Sequence, residues 1–279
     1  MAPEQRRRPA PRRTQVVQTE WLTPHLRRIV LGGDGLRDGF APVHADSYVK
    51  VLFLHPGVRY PEPLDLDTVR ATFPAQQWPR MRSYTVRKWD AERAELTLDF
   101  VVHGDDGVAG PWAAGARMGD VVHLQGPGGA YSPAADTPHH LLIGDESALP
   151  AIAAILDRLD PDAAVDAFVE VDGAGDEIAL SRHVTWVHRD GAKVGDALLA
   201  AVLDRRVDPG THAFVHGEAG FVKRLRHWLR VEHQLPAAQI SISGYWRLGS
   251  DDEGWRAGKA AWNAEAEAAE AAAGLRPTG

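Results

Sequence analysis

The segment Arg82–Arg87, of sequence RSYTVR, holds residue types that suit the binding of a flat, phosphorylated cofactor. Its pattern predicts a strand, and side chains at i, i+2 and i+4 line one face of a strand. We expect Arg82, Tyr84 and Thr85 to offer a charge for phosphate, a ring and a hydroxyl within a few ångströms of each other, with Ser83 between them. A flavin dinucleotide has the matching groups: a pyrophosphate, a flat ring system and a ring edge rich in acceptors. The alternative is an ordinary half-exposed strand of a barrel.

A glycine-rich segment, His103–Ala113, follows the strand expected over residues 98–102. Glycines leave backbone N–H groups open to close approach. Gly110 and Pro111 look like the entry to a short helix with proline at its first position. Free N–H groups at such a helix start suit a pyrophosphate. The alternative is a barrel turn with a short helix that fills one end of the barrel.

The segment Gly144–Pro150, of sequence GDESALP, lies at the carboxyl end of an expected parallel strand, where ligands bind in doubly wound sheets. It is not a GxGxxG fingerprint, and Asp145 and Glu146 would repel a phosphate placed directly on them. Spacing alone favours Ser147 as the cap of the helix that follows.

Tyr245, Trp246 and Arg247 come just after the last expected strand, Ile240–Ser243. They are either a core aromatic pair beside a surface cation, or a cap over a flavin with the cation facing an anionic substrate.

The composition excludes several classes of chemistry. The 279 residues include no cysteine, which rules out disulfides, thiolate catalysis and cysteine-ligated zinc or iron–sulfur centres. The 13 histidines show no HExxH or other tight ligand spacing, so we expect no metal site. No GxSxG elbow and no Walker loop is present. If electrons move here, a bound organic cofactor must carry them.

Charge and hydropathy indicate a cytoplasmic protein. The net charge of −7 argues against a general nucleic-acid binder. No apolar run approaches the roughly 18 residues of a membrane helix, and no apolar segment follows the N-terminal arginines, so we expect neither membrane insertion nor a secretory signal. We also expect a monomer. The basic arm, expected to be a disordered tail, contains Arg6, Arg7, Arg8, Arg12 and Arg13.

The order of elements predicts two domains. Residues 14–136 hold about six short strands without intervening helices, which predicts an antiparallel six-stranded Greek-key barrel. The connection Gly57–Arg80 is long, rich in proline and weakly periodic. Residues 137–279 alternate strands with helices, which predicts a parallel α/β domain of nucleotide-binding type with a C-terminal helix. The two modules together suit flavin plus nicotinamide.

Seven motifs occur in order over about residues 14–256, and together they resemble the siderophore-interacting protein family. These are flavin-dependent ferric-siderophore reductases within the ferredoxin-reductase-like superfamily. The motifs are RSYTVR at 82–87, DFVVHGD at 99–105, PWA at 111–113, GDESALPAI at 144–152, WVHR at 186–189, HGEA at 216–219 and GYWRLG at 244–249.

The resemblance implies an FAD-binding barrel followed by a domain of NAD(P)H-binding type. By similarity, Arg82 contacts the FAD phosphates, Tyr84 stacks on the isoalloxazine and Thr85 bonds near its reactive nitrogen edge. Tyr84 and Thr85 are thus the residues implied at the catalytic centre. The other residues implied to bind cofactors are Ser83, His103, Gly110, Pro111, Trp112, Ala113, Asp145, Glu146, Ser147, Arg189, Glu218, Tyr245 and Trp246.

The resemblance also implies a ferric siderophore as the partner, held by basic side chains near the flavin edge. Lys50 and Arg247 match two such positions, and if both domains meet at the flavin these cations converge on one pocket. The Gly-Pro-x-Gly turn, which often offers a further basic residue in this family, reads GPGG at Gly126–Gly129 here.

The electron donor is expected to be NADPH or NADH. Arg189 ends a strand near the position where related reductases recognise the adenosine ribose, and a cation there suits the extra phosphate of NADPH. Glu170 and Asp172 end the preceding strand and favour the free hydroxyls of NADH. Between the two we expect NADPH.

The expected function is FAD-dependent reduction of a ferric siderophore. Nicotinamide gives up two electrons at once whereas Fe(III) accepts one, and a flavin handles both. Fe(II) is then released, because a hard oxygen chelator holds it less tightly than Fe(III). Two alternatives stay open: a siderophore-binding protein without nicotinamide activity, and a general NAD(P)H:flavin reductase.

Overall fold

The computed structural model describes residues 10–104, 107–134 and 136–275. The predictions that involve Arg6–Arg8, Asp105, Asp106 and the last four residues of the second expected domain lie outside these ranges. Within the described ranges the chain divides into two compact units. The first unit comprises residues up to 20, 27–43 and 47–129, and the second comprises residues 21–26, 44–46 and those from 130 onwards.

Seven strands form an antiparallel sheet that carries the first unit. They are β1 (Arg12–Thr23), β2 (Leu26–Gly32), β3 (Tyr48–Phe53), β4 (Arg80–Thr85), β5 (Lys88–Asp90), β6 (Glu95–Val101) and β7 (Val121–Gly128). Their order is β4-β3-β7-β1-β2-β6-β5. Alternate residues of β6, namely Leu96, Leu98 and Phe100, are fully buried, as the period of two requires for a sheet with one face on a core.

The expected antiparallel β architecture is confirmed, with seven strands in place of six. The strand that the sequence did not reveal is β5, which pairs with β6 through Lys88, Trp89 and Asp90. Three residues are too few to show a recognisable alternation, so the sequence does not reveal this strand. Its conformation is set by its pairing with β6.

The proline-rich connection Gly57–Arg80 contains a helix, α1 (Leu66–Thr72), and is therefore more ordered than its weak periodicity suggested. The Asp65 carboxylate caps this helix by accepting from two backbone N–H groups of its first turn. Leu66 and Val69 then pack on Leu52 of β3 in a small second core. This packing covers the outer face of β3 at one end.

The second unit is a parallel sheet with helices. Its strands are β8 (His139–Asp145), β9 (Ala164–Val171), β10 (Thr185–His188), β11 (Thr211–Glu218) and β12 (Ile240–Trp246). Its helices are α3 (Leu149–Leu156), α4 (Asp196–Val202), α5 (Ala219–His227) and α6 (Asp252–Ala272); a shorter helix of the first unit, α2, spans Ala109–Gly115. The strand order is β10-β9-β8-β11-β12, with neighbours parallel, which confirms the expected α/β domain type.

A buried ion network attaches the C-terminal helix α6 to α5 and the π-helical turn that continues it. Glu270 is 1% exposed and accepts from Arg226 Nε at 2.5 Å and from Arg230 Nε at 3.3 Å. The two guanidinium groups share this one carboxylate, and Arg230 also donates to the Leu235 carbonyl, so the contacts hold the end of the helix in place. Among the described residues, none of the helices has the length and apolar character that a bilayer span requires.

Candidate functional site

Strand β4 contains the first four residues of the hexapeptide, Arg82–Thr85, and the residues expected to bind the cofactor lie on both of its faces. Arg82 pairs with Val51 and Tyr84 with Val49, two residues that are fully buried. Thr85 pairs with Tyr48 across the same ladder, so it points to the opposite face. The expectation that Arg82, Tyr84 and Thr85 share one face is therefore wrong, because a period of two separates neighbours in sequence.

Arg82 and Tyr84 are half-buried on the core face of β4. The Tyr84 ring lies against Phe100, with ring centroids 4.1 Å apart, at the edge of the first unit's core. Arg82 donates from Nη1 to the Met81 carbonyl at 2.9 Å. The core thus holds one side of the Tyr84 ring, which fixes the orientation of the aromatic plane.

The other face of β4 presents a cation and two hydroxyls. Ser83 pairs with Lys50 of β3, and Lys50 pairs in turn with Gln125 of β7, so these three side chains lie side by side. Lys50 and Ser83 are exposed, whereas Thr85 is 9% exposed. The structure therefore brings Lys50, Ser83 and Thr85 to one face.

The GPGG turn at the end of β7 is shaped by Tyr48. A Cβ added at Gly128 would lie 2.8 Å from Tyr48 Cζ, so a side chain at this position would displace the tyrosine ring. Glycine at this place in the turn therefore allows the close approach of the aromatic ring.

The glycine-rich segment after β6 leads into helix α2, which begins two residues earlier than expected. Ala109 is its first residue, and Pro111 its third. Gly104 and Gly107 have φ of +58° and +81°, and a Cβ at either would meet no atom within 4 Å, so the backbone there is open. Trp112 packs between Phe53 and Phe100, and Ala113 is fully buried in the core. His103 is exposed.

Asp145 joins the carboxyl ends of three strands in the second unit. It is 1% exposed at the end of β8. Its Oδ1 accepts from Ser147 N at 2.9 Å and faces Ser147 Oγ at 2.5 Å. Its Oδ2 accepts from Glu218 N of β11 and from Trp246 Nε1 of β12, both at 2.8 Å. Burial raises the pKa of this carboxyl, and the four hydrogen bonds oppose that shift.

Ser147 does not cap helix α3, contrary to the expectation from spacing. The N-cap is Ala148, which makes no side-chain hydrogen bond to the helix. The Ser147 hydroxyl is held by Asp145 instead, because a buried carboxylate competes for it more strongly than a peptide N–H does.

Arg189 lies directly after β10, as expected, inside a cluster of carboxylates. It donates from Nη2 and Nη1 to the two oxygens of Glu146 at 2.7 and 3.1 Å. Asp172 Oδ1 lies 3.6 Å from Arg189 Nε, and Glu170 Oε2 lies 3.8 Å from Arg189 Nη1. Burial alone would lower the pKa of Arg189, but the hydrogen bonds to Glu146 and the neighbouring carboxylates raise it, so the guanidinium is firmly charged.

Glu170 cannot contact a ligand, because it is fully buried. Its carboxylate accepts from Gly195 N at 2.9 and 3.1 Å and from Leu198 N at 3.3 Å, and thereby holds the start of α4. The prediction that Glu170 favours NADH through the ribose hydroxyls is therefore wrong. Asp172, half-exposed, remains available at that place.

The aromatic pair near the chain's last strand lies within it. β12 runs to Trp246, three residues beyond the expected end, so Tyr245 and Trp246 belong to the strand and only Arg247 follows it. Glu218 holds this corner: its carboxylate accepts from Gly220 N at 2.6 Å, Phe221 N at 3.3 Å and Leu248 N at 3.1 Å. Arg247 is exposed.

His216 of β11 is a buried polar residue that the sequence reading did not single out, although it begins the HGEA motif. Its ring stacks on Phe214 at 3.9 Å and lies 4.9 Å from Tyr245. Nε2 is 3.1 Å from Ser241 Oγ. Burial, together with the nearby Lys259 charge, lowers its pKa to about 3, so the ring is neutral and supports Tyr245 without adding charge.

Comparison with known families divides the chain near residue 130, close to the main boundary between its two units. Residues 15–131 match the family described as siderophore-interacting FAD-binding domain. Residues 137–249 match the family described as siderophore-interacting protein.

Relatives align over most of the chain. An uncharacterised protein of Mycobacterium tuberculosis H37Rv is 46% identical over 277 residues, covering 92% of this chain and 96% of the relative. Ferric vibriobactin reductase ViuB of Vibrio cholerae is 32% identical over 88% of this chain and 92% of its own length. The NADPH-dependent ferric-chelate reductase of Escherichia coli is 31% identical over 84% and 92%, respectively.

Solved structures show the same fold. A siderophore utilization protein from T. fusca superposes with a TM-score of 0.75 and 35% identity, covering 87% of this chain and 94% of that one. The siderophore-interacting protein SipS from Aeromonas hydrophila has a TM-score of 0.75 at 27% identity, covering 90% and 97%.

Proposed function

This chain belongs to the siderophore-interacting protein family, and on that premise we propose that it is an FAD-dependent ferric-siderophore reductase. In this reaction NAD(P)H is oxidised and Fe(III) in a siderophore is reduced to Fe(II), which leaves the chelator. Two relatives named as ferric-siderophore or ferric-chelate reductases support the assignment.

The observation that supports the proposal best is the arrangement of side chains on the two faces of strand β4. One face holds a half-buried cation and an aromatic ring fixed by Phe100, and the opposite face holds Ser83 and Thr85 beside Lys50. A dinucleotide with a flat ring needs these types of group, and Gly104 and Gly107 carry no side chain that would block close approach to their backbone. The residues present therefore fit FAD.

We assign roles to the FAD-binding residues accordingly. Arg82 binds the phosphates and Tyr84 orients the isoalloxazine from one face of β4. Thr85 is the last residue of the strand, and there its hydroxyl bonds at the nitrogen edge of the ring from the other face. Ser83, His103 and the start of α2 at Gly110–Ala113 complete the binding set, with Trp112 and Ala113 acting mainly through the core that supports them. When bound, FAD converts the two-electron oxidation of nicotinamide into single-electron transfers to iron.

In the second unit, the corner built by Asp145 is the proposed nicotinamide side of the site. Asp145 fixes the turn at Ser147 and the indole of Trp246, and Glu218 fixes the turn before Arg247. These side chains act as positioning groups, because their own polar atoms are already occupied by backbone and indole N–H donors. Tyr245, supported by His216, and Trp246 are the aromatic surfaces offered to the cofactors.

Arg189 is proposed to decide the electron donor, with NADPH preferred. Glu170 no longer competes, since it is buried, and Asp172 is the remaining exposed carboxylate beside Arg189. Glu146 offsets part of the positive charge, so the preference for NADPH is modest. The E. coli relative named as NADPH-dependent is consistent with this choice.

Lys50 and Arg247 are proposed to bind the ferric siderophore, which is commonly an anion. Both are exposed cations on a chain with a net charge of −7, so each offsets a repulsive long-range field. We further propose a cytoplasmic monomer, with the FAD-binding domain at residues 14–136 and the NAD(P)H-binding domain at 137–279.

The test compares three acceptors for electrons from NADPH at equal concentration: a ferric siderophore, ferric ions in a weak chelate, and free flavin. We expect purified protein to contain FAD and to oxidise NADPH fastest with the ferric siderophore. Equal rates with free flavin would assign a general flavin reductase, and FAD-free protein that binds the siderophore would assign a binding protein.

A further inference from the structure

We propose that His25, Asp172 and Asp176 form a binding site for one divalent transition-metal ion. His25 lies in the turn between β1 and β2, Asp172 directly follows β9, and Asp176 ends the short turn after it. All three belong to the second unit. One imidazole nitrogen and one oxygen of each carboxylate lie within 4.8 Å of one another.

The spacing of these atoms is close to that of a first-row metal site. His25 Nδ1 and Asp176 Oδ1 are 2.9 Å apart. Ligand atoms with bonds of about 2.1 Å are about 3 Å apart on an octahedron and about 3.4 Å apart on a tetrahedron. The side chain of Asp172 is 53% exposed, so it can rotate by the roughly 1.5 Å that closes the set.

The burial and hydrogen bonding of Asp176 also favour a cation here. Its side chain is 8% exposed, yet within the described ranges of the chain its only hydrogen-bond or ion-pair partner is the His25 ring. Two other buried carboxylates of this unit have more partners: Asp145 has four hydrogen-bond contacts, and Glu170 accepts from two backbone N–H groups. A buried carboxylate with a single imidazole partner lacks that compensation, and a bound cation would supply it.

The surrounding charge favours a cation. Arg189 is a positive group at this cluster, with Nε 3.6 Å from Asp172 Oδ1, but its Nη atoms are engaged by Glu146. Glu146 and Thr23 also line a small cavity beside His25 and Asp176, which leaves oxygen atoms to hold water on the metal. The cluster therefore contains more carboxyl groups than guanidinium groups: one guanidinium, from Arg189, faces the carboxyl groups of Glu146, Glu170, Asp172 and Asp176.

The ligand chemistry selects the class of metal. One imidazole and two carboxylates suit Zn(II), Mn(II) and Fe(II), whereas Mg(II) and Ca(II) prefer oxygen ligands alone. Fe(II), the product of the proposed reaction, falls within this class, but binding at this site does not depend on reductase activity. Sequence spacing did not predict the site because His25 and Asp176 are 151 residues apart.

The test is a metal titration of tag-free protein with FAD bound, after treatment with a chelator. We expect calorimetry with Zn(II) to give one ion per chain, and Mn(II) to compete for it in electron paramagnetic resonance. Asp176→Asn and His25→Ala should each weaken binding at least about tenfold. Asp166→Asn is the matched control: it removes a carboxylate that lies 3.4 Å from His139, a pair without a third ligand, and should leave binding unchanged. Anaerobic competition with Fe(II) tests whether the reaction product is accepted.

Two results would overturn the site. The first is wild-type protein that binds no stoichiometric Zn(II) or Mn(II). The second is binding that persists unchanged in His25→Ala and Asp172→Asn, two exposed side chains whose loss does not disturb the core. Protein that lacks FAD would overturn the proposed function and leave this titration readable.

Discussion

Replacing Asp145 provides a graded test of the corner that positions Ser147, Glu218 and Trp246. The wild-type carboxylate accepts from three N–H groups, for which the described part of the chain shows no other acceptor, and it also contacts the Ser147 hydroxyl. Asp145→Asn keeps the shape of the side chain but turns one acceptor into a donor. Asp145→Ala removes both acceptors.

The structure predicts that the two substitutions differ several-fold in cost. The Asn carbonyl can face Glu218 N and Trp246 Nε1, while its NH₂ group faces the Ser147 hydroxyl, which can accept. Only Ser147 N then loses its acceptor, at about 1–2 kcal/mol. With alanine, three N–H groups lose their acceptor at about 1–3 kcal/mol each, and because two of them are only partly buried we expect about 3–5 kcal/mol in total.

Urea unfolding followed by far-ultraviolet circular dichroism measures these free energies, with a shared m-value showing that the unfolded states are comparable. Asp160→Ala is the control, because this exposed carboxylate accepts a single backbone N–H, from Asp162 at 3.0 Å. It should cost less than about 1 kcal/mol. Equal destabilisation by Asn and Ala at position 145, or a loss below about 1 kcal/mol for Ala, would refute the hydrogen-bond assignment.

The same variants predict a pH dependence. Burial raises the pKa of Asp145, so the folded protein binds this proton more tightly than the unfolded chain does. The contribution of Asp145 to stability is then greatest below its unfolded pKa and falls as pH rises through the folded pKa. The stability difference between wild type and Asp145→Asn should accordingly shrink from acid to neutral pH, and a difference that grows over that range would contradict the raised pKa.

Three further predictions concern the proposed ligand contacts. Arg82→Ala should weaken FAD binding by about 10- to 150-fold, the equivalent of a charge-assisted phosphate contact of about 1.5–3 kcal/mol, and full occupancy after extensive dialysis would contradict that role. Arg189→Ala should lower the NADPH/NADH ratio of kcat/KM, and an unchanged ratio would remove Arg189 from donor choice. Lys50→Ala and Arg247→Ala should each raise KM for an anionic ferric siderophore by about 2- to 5-fold at low salt, with less effect on kcat and with a loss of effect at high salt. Both should leave flavin reduction by NADPH unchanged in stopped-flow measurements, and an unchanged KM in the double mutant would rule out the assigned cations.

The sequence predicts the architecture because each long element carries its own periodic signal. Strands such as β6 place an apolar residue at every second position, and α5 repeats its apolar positions at helical spacing, so both were recognised without tertiary information. β5 and α1 escaped, since three and seven residues are too few for a period to emerge. Their conformation is set by the strand that β5 pairs with and by the second core under α1.

The sequence predicted which residues belong to the site better than it predicted how their side chains are arranged. The family motifs identified Arg82, Tyr84 and Asp145, but the assignment of Thr85 to the same face as Tyr84 failed on the pleat of the strand. Ser147 was expected to be a helix cap because local spacing cannot show that a buried carboxylate two residues earlier holds its hydroxyl.

Contacts between residues that are far apart in sequence explain the remaining differences between the sequence-based predictions and the structure. In the sequence, Glu170 is an acidic residue at the end of a strand and looks available to a ligand. In the structure, its carboxylate accepts hydrogen bonds from the start of α4, which lies 25 residues further along the chain. His25 and Asp176 meet across a still larger separation. No window of sequence contains such pairs, so only the fold reveals them.

An anaerobic single-turnover experiment tests the central claim most directly. Purified protein is reduced with a limiting amount of NADPH, then mixed with a ferric siderophore in the presence of a chromogenic Fe(II) chelator while flavin absorbance is recorded. We expect that NADPH bleaches the flavin, that the siderophore restores its absorbance, and that two Fe(II) ions are trapped for each NADPH oxidised. Protein without flavin, a flavin that neither NADPH nor NADH bleaches, or a reduced flavin that the ferric siderophore leaves unchanged would contradict it.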